Sequence, residues 1–185
     1  GVHYCATCDG AFYRDKKLVV IGGGNSGFQE ALFLTRYATH IDLLVRSTVS
    51  ASEILQHDMK KFVDSGQVTI HLQTVTEEIV ATDGRVSAVN ALKNGEAISL
   101  DTDGVFVFVG LLPNTQFLEG SGVELDDRGL IKTNMHLETN LKGVFASGDV
   151  RSGATMQIAS AVGEGAAAAL SIREYLTEYH REAKA

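Results

Sequence analysis

"KLVVIGGGNSGFQEALFLTRYATHIDLLVRS", residues 17–47, decides the fold. The β-branched apolar run Lys17 to Ile21 predicts a strand, the glycines after it a tight turn, and the apolar spacing from about Ser26 to Tyr37 a helix. A second apolar run, Ile41 to Val45, predicts another strand, which completes a βαβ unit of Rossmann type. Gly22, Gly24 and Gly27 make G-x-G-x-x-G between strand and helix. There the glycines allow a tight turn and close backbone approach to a pyrophosphate, and the helix N-terminus faces that anion with about half a positive charge. The plainer alternative is a glycine turn that only lets helix and strand pack.

The end of the second strand selects the dinucleotide. NAD sites place a carboxylate about 20 residues past the glycines, and Asp42 satisfies that count. At about 3.3 Å per residue, however, Asp42 lies roughly 10 Å before the strand's C-terminal end, where the ribose would sit. Val45, Arg46, Ser47 and Thr48 occupy that end. A guanidinium and two hydroxyls suit a 2′-phosphate, so NADPH is expected over NADH, with Arg46 and Ser47 as its contacts. Otherwise Arg46 is a solvated loop charge.

Upstream stands "CATCDG", residues 5–10, which holds the only two cysteines of the chain. Zinc needs four ligands; His3, Cys5 and Cys8 supply three, and the other histidines lack paired ligand spacing, so no metal site is expected. A structural disulfide closing so small a loop would stabilise little, and two inert thiols fit poorly beside Thr7 and Asp9. Beside a dinucleotide fold, C-x-x-C is better read as a redox pair, with Asp9 moving the proton that thiol exchange requires. Hydride from NADPH does not pass readily to a disulfide, so a flavin relay is expected.

Downstream, "SASEILQHDMKKFVDSG", residues 50–66, predicts a helix opened by a Ser50–Glu53 capping box. Its predicted apolar face carries Ile54, Leu55, Met59, Phe62 and Val63. "VTIHLQT" (68–74) and the residues around Asp83-Gly84 and Asn94-Gly95 predict an antiparallel meander, followed by a buried strand in "GVFVFVG" (104–110). The character of the sequence changes after Gly110, beside the only proline, Pro113. A hairpin in "ELDDRGLIKT" (124–133), a strand in "GVFASGD" (143–149) and a long helix from about Thr155 to Tyr179 are expected there. The strand end at Gly148-Asp149 before that helix is a modest flavin signal.

With 44% hydrophobic and 21% charged residues, the 185-residue chain has the composition of a soluble globular protein. A net charge of −7 with scattered cations leaves no basic footprint, so neither nucleic acid nor a membrane surface is an expected partner. No apolar run has transmembrane length, the start has no signal-peptide pattern, and a cytoplasmic setting is the expectation. The opening Gly1, without methionine, predicts a chain cut from something longer.

Three segments together, "CATCDGAFYRDKKLVVIGGGNSGFQEALFL" (5–34), "FVGLLPNT" (108–115) and "GVFASGDVRSGATMQIASAVGEGAAAAL" (143–170), resemble the low-molecular-weight, bacterial-type thioredoxin reductases almost from end to end. The resemblance implies an NADPH domain at 1–110, inserted in an FAD domain whose C-terminal portion is 111–185 and whose first half is absent from this chain. It implies FAD and NADPH as cofactors, a homodimer, and thioredoxin or a similar small dithiol protein as acceptor. A flavin disulfide reductase serving a peroxiredoxin-type acceptor shares the same motifs, and a non-catalytic nucleotide- or zinc-binding module is the alternative of another class. Carried over, Cys8 is the thiol next to the flavin, Cys5 attacks the partner disulfide, and Asp9 donates the proton. Gly22, Gly24, Asn25, Ser26, Gly27 and Glu30 are expected to line the NADPH site, and Gly148, Asp149, Val150, Gln157 and Ile158 to touch FAD. The chain departs from the family pattern at Val45, Arg46, Ser47 and Ala51, where only one of three 2′-phosphate arginines survives, and at Met156, which replaces an arginine before Gln157.

Overall fold

The computed structural model describes residues 1–183. The chain divides into two compact units, Gly1–Gly110 and residues 111 onward.

The first unit is built on a five-stranded sheet ordered β1-β8-β2-β3-β4. Its strands are β1 (Val2–His3), β2 (Lys17–Ile21), β3 (His40–Leu44), β4 (Val68–His71) and β8 (Gly104–Val107). All neighbours run parallel, with Leu18 opposite Ile41 and Gly104. Apolar residues fill both faces of β2, the pattern of a parallel strand covered on both sides, while β3 carries His40 and Asp42 beside Leu44 on one of its faces. On one face Leu18, Val20, Ile41, Leu43 and Val45 pack with Phe28, Ala31 and Leu34 of α2 (Asn25–Leu34) and Met59 of α3 (Glu53–Asp64). On the other, Val19, Leu44 and Val105 pack with Val89 and Ala91 of a three-stranded antiparallel sheet, β5 (Thr74–Thr82), β6 (Arg85–Lys93) and β7 (Glu96–Asp101). Asp83-Gly84 and Asn94-Gly95 turn its strands, all four at positive φ as tight hairpins require.

Several expectations are corrected. "VTIHLQT" is not part of the meander: Val68–His71 pairs parallel with β3, and only Thr74 enters the antiparallel sheet. The helix α2 stops at Leu34, where the Thr35 hydroxyl donates to the Leu32 carbonyl at 2.7 Å and the chain turns toward β3. The predicted capping box is not formed; Ser52 is the N-cap of α3. Ser50 instead gives its N–H to the Gly23 carbonyl at 2.8 Å, which ties the loop after β3 to the glycine turn. Ile54 is 73% exposed, so the buried stripe of α3 is narrower than its apolar spacing implied.

In the second unit the predicted hairpin reduces to one antiparallel bridge, Leu125 to Ile131, and "GVFASGD" to the bridge Glu138 to Phe145. Asp126 supplies the order that a ladder would have given: Oδ1 accepts from the N–H groups of Arg128 and Leu130, and Oδ2 from the Ser152 hydroxyl. The chain then forms a 3₁₀ turn at Gly148–Val150 and the helix α4 (Ile158–Glu182). That helix begins after the predicted Thr155, because Met156 has φ 52°, incompatible with an α-helical turn. Among the described residues no helix is long and apolar enough to cross a membrane.

Candidate functional site

The glycine turn opens onto a cavity of about 610 Å³, within the range of small-molecule and cofactor sites. Gly22, Gly24, Asn25 and Ser26 line one side, and Arg46, Ser47, Thr48 and Ser50 another. The three glycines differ in what they do. A Cβ on Gly22 would lie 2.3 Å from the Phe108 carbonyl oxygen, and one on Gly27 2.1 Å from the Gly22 carbonyl oxygen. Both therefore allow backbone to pass backbone, and Gly27 is buried behind the cavity rather than among its lining residues. At Gly24 the nearest atom to a Cβ would be Ser50 Oγ at 3.7 Å, so the space there is open to an incoming group.

Gly24 is also the N-cap of α2 and makes no side-chain cap bond. The first N–H groups of a helix have no intrahelical acceptor, so this turn presents donors and a positive dipole end to the cavity. The Asn25 side chain is used locally, its Oδ1 accepting from the Ser52 N–H at 2.8 Å, which holds the loop bearing Arg46 and Ser47 against the helix start. Sequence reasoning missed the opposite wall, Thr74 to Thr76. Thr76 Oγ1 is buried with no hydrogen-bond partner among the described residues. No local motif marks these threonines, because they open a meander strand that is remote in sequence from the glycines. The residues present fit a dinucleotide: small-residue turn, helix start, hydroxyls and one guanidinium.

Glu30 does not line this cavity, contrary to expectation. It lies a turn further along α2, and its Oε2 accepts from the Ala6 N–H at 3.2 Å, reaching the cysteine segment instead. There Cys5 and Cys8 are joined as a disulfide. Cys5 caps the short helix α1 (Ala6–Asp9), its sulfur accepting from the Cys8 N–H at 3.1 Å. Cys8 is exposed and Cys5 half-buried. Asp9 pairs with His3, Oδ2 to Nδ1 at 3.0 Å, and the other nitrogen of His3 meets the Tyr13 hydroxyl at 2.7 Å. Burial, then the charges of Asp9 and Asp103, raise the Tyr13 phenol above its ordinary range. Among the described residues no cluster of three or more His, Cys, Asp or Glu side chains is placed to hold a metal ion.

Asp42, the carboxylate that residue counting offers to a ribose, is committed elsewhere. Its Oδ1 accepts from His71 Nε2 at 2.7 Å and stands 3.4 Å from His40 Nε2. Burial alone would raise its carboxyl, but the His71 hydrogen bond and the charges of the two histidines outweigh it and hold the group below its ordinary value.

In the second unit a cavity of about 280 Å³ is lined by Leu111, Leu112, Pro113, Asn114, Asp149, Val150 and Met156, among others. Gln157 and Ile158, expected at the same site, are not among its lining residues, and Ile158 is 86% exposed. The Gly148 N–H is committed to Glu164 Oε2 at 2.8 Å, and Glu164 in turn grips the Arg151 guanidinium. That hydrogen bond from Arg151 keeps the Glu164 carboxyl below its ordinary value. Gly148 therefore shapes the turn, and Asp149 lines the cavity together with the polar side chains of Asn114 and Arg128. The volume is below the usual range for a whole organic cofactor, so these residues fit one portion of a flavin nucleotide.

Comparison with known proteins places the chain in a family. The chain is 37% identical over its whole length to a thioredoxin reductase of Bacillus subtilis and covers 58% of it. It is 39% identical over 96% of its length to an Arabidopsis thaliana protein named NADPH-dependent thioredoxin reductase 3, of which it covers 34%. It superposes on a crystal structure of thioredoxin reductase from Streptococcus pyogenes with TM-score 0.85 at 38% identity, covering 96% of this chain and 58% of that one. The chain thus spans little more than half the length of these bacterial relatives. The family model for pyridine nucleotide-disulphide oxidoreductases runs over residues 1–165, through glycine turn, cysteine pair and Asp149 alike, and to that family the chain belongs.

Proposed function

We propose that this chain is the NADPH-binding unit, residues 1–110, and the C-terminal portion of the FAD-binding unit, 111–185, of a thioredoxin-disulfide reductase. The observation that carries the reading is the disulfide between the chain's only two cysteines, set before a dinucleotide turn in one compact unit. Bound FAD supplies the relay between a hydride donor and a disulfide. The chain's own residues do the rest. The start of α2, Ser26 and Gly24 receive the pyrophosphate, while Arg46 and Ser47 hold the 2′-phosphate and so select NADPH. Asp149, Val150 and Met156 hold part of the flavin nucleotide. Cys8 faces the flavin, Cys5 attacks the acceptor's disulfide, and Asp9 moves the proton. The acceptor is thioredoxin or a similar small dithiol protein, and the whole protein works as a cytoplasmic homodimer.

The test uses a full-length protein containing this sequence, loaded with FAD. It should oxidise NADPH when oxidised thioredoxin is added, and Cys5→Ser/Cys8→Ser should abolish that turnover while leaving reduction of ferricyanide intact. Turnover with a peroxiredoxin-type acceptor but not with thioredoxin would reassign the acceptor within the same chemistry. Undiminished thioredoxin reduction by the double variant would refute the mechanism.

A further inference from the structure

His3 stands at the centre of a network that the redox reading does not use. It lies on β1, its ring stacked on Phe106 of β8 with centroids 5.0 Å apart and planes inclined 27°. Its two nitrogens are both engaged, Nδ1 with Asp9 Oδ2 at 3.0 Å and Nε2 with Tyr13 Oη at 2.7 Å. The Tyr13 ring is itself set edge-on to His3 and Phe106, and Gly104 leaves room for it: a Cβ there would lie 2.4 Å from Tyr13 Cε1. The charged groups around this cluster are Asp9 on α1 and Asp103 acting on Tyr13.

The tautomer follows from the partners. A carboxylate can only accept, so Nδ1 carries the proton toward Asp9; Nε2 of the neutral ring then accepts from the Tyr13 O–H. Free imidazole side chains favour the opposite tautomer, so the arrangement depends on Asp9 and Tyr13 together.

We propose that His3 is a positioning residue for thiol exchange. It holds the Asp9 carboxylate, on the residue that follows Cys8, in one orientation, with Tyr13 and Phe106 packed around the ring. The inference rests on the redox reading of the cysteine pair. In the step concerned, a thiolate of the reduced pair forms an S–S bond to the acceptor and breaks the acceptor's disulfide. The departing acceptor thiolate takes a proton by way of Asp9 from the pair's remaining thiol. That sulfur, now a thiolate, attacks the mixed disulfide, restores Cys5–Cys8 and releases the second acceptor thiolate, which is protonated by water. The pair is oxidised by two electrons and the acceptor reduced by two. Fixing Asp9 lowers the barrier to proton transfer without changing the thermodynamics of the pair.

The experiment uses the FAD-loaded, full-length protein containing this sequence, its cysteine pair reduced and then reoxidised by glutathione disulfide in the absence of NADPH. Nitrogen-15 NMR should find His3 as the Nδ1–H tautomer. His3→Ala should slow exchange at neutral pH by about tenfold or more, the equivalent of one charge-assisted hydrogen bond, with the glutathione equilibrium moved less than about twofold. His3→Asn, whose amide N–H takes the place of Nδ1–H, should recover most of the rate, and His3→Ala added to Asp9→Asn should cost little more than Asp9→Asn alone. An unchanged rate in His3→Ala, an Nε2–H tautomer, or independent effects of His3 and Asp9 would overturn the proposal while leaving the redox reading intact. A wild-type pair that does not exchange with glutathione at all would overturn both.

Discussion

The Glu30 carboxylate, on the helix that opens at the glycine turn, accepts the Ala6 N–H between the two cysteines at 3.2 Å. The element that would receive a dinucleotide phosphate thus also holds the backbone of the disulfide segment. Ala6 is fully buried, so loss of this acceptor leaves a buried donor unpaired. Glu30→Ala is expected to destabilise the first unit by about 1–3 kcal/mol and to speed amide exchange at Ala6, whereas Glu30→Gln retains an acceptor and most of the stability. Hydrogen exchange with chemical unfolding of the two variants checks this.

The glycines should separate fold from binding. Gly27→Ala forces a Cβ to within 2.1 Å of the Gly22 carbonyl oxygen, a backbone clash that no rotamer relieves. It should cost about 3 kcal/mol or more and fold poorly. Gly24→Ala meets only Ser50 Oγ at 3.7 Å and should leave the unfolding midpoint nearly unchanged while weakening nucleotide binding. Calorimetric titration with NADPH beside denaturant curves measures both effects.

The proposed choice of NADPH depends on Arg46, which lines the cavity with Ser47 and Thr48. One exposed guanidinium on a phosphate is worth about 1–2 kcal/mol, so Arg46→Ala should weaken NADPH by roughly five- to thirtyfold and leave NADH nearly untouched. Equal affinity for the two coenzymes in the parent chain, unmoved by the substitution, would show that selection lies elsewhere.

Asp42 predicts a pH signature. Its carboxyl is held below its ordinary value of 3.8, so it contributes stability that is present above that value and is lost as pH falls through the lower value of the folded state. His71 Nδ1 is already buried without a partner among the described residues, and Asp42→Ala removes the partner of its other nitrogen. The variant should lose about 1–3 kcal/mol at neutral pH, and the gap to the parent should narrow as pH falls below 3.8. Urea unfolding across that range reads it directly.

What the sequence made legible follows from how local each signal is. The β2–α2–β3 unit, the hairpin turns at Asp83-Gly84 and Asn94-Gly95 and the cysteine pair are written in contiguous residues, and strand period, positive-φ pairs and motif spacing reveal them. The placement of β4 is not local. "VTIH" alternates like a half-buried antiparallel strand, yet β3 claims it as a parallel neighbour because α3 returns the chain to that edge. The bridges of the second unit replace strands because Asp126 and Asn140 side chains satisfy backbone groups that ladders would have paired. Side-chain partnerships were the least visible of all. Spacing showed Glu30 on the right helix but not facing Ala6, and neither the Thr76 wall nor the bridge from Asp9 through His3 to Tyr13 has a sequence pattern.

In the proposed function, the Cys5–Cys8 disulfide stores electrons that begin on NADPH. Anaerobic titration of the FAD-loaded, full-length protein with NADPH tests it most directly, with free thiols counted after acid quench. The protein should take up about two equivalents of NADPH and gain two titratable thiols, whereas Cys5→Ser/Cys8→Ser should take up about one and gain none. Equal uptake by the two proteins, with no thiols appearing in the parent, would contradict it.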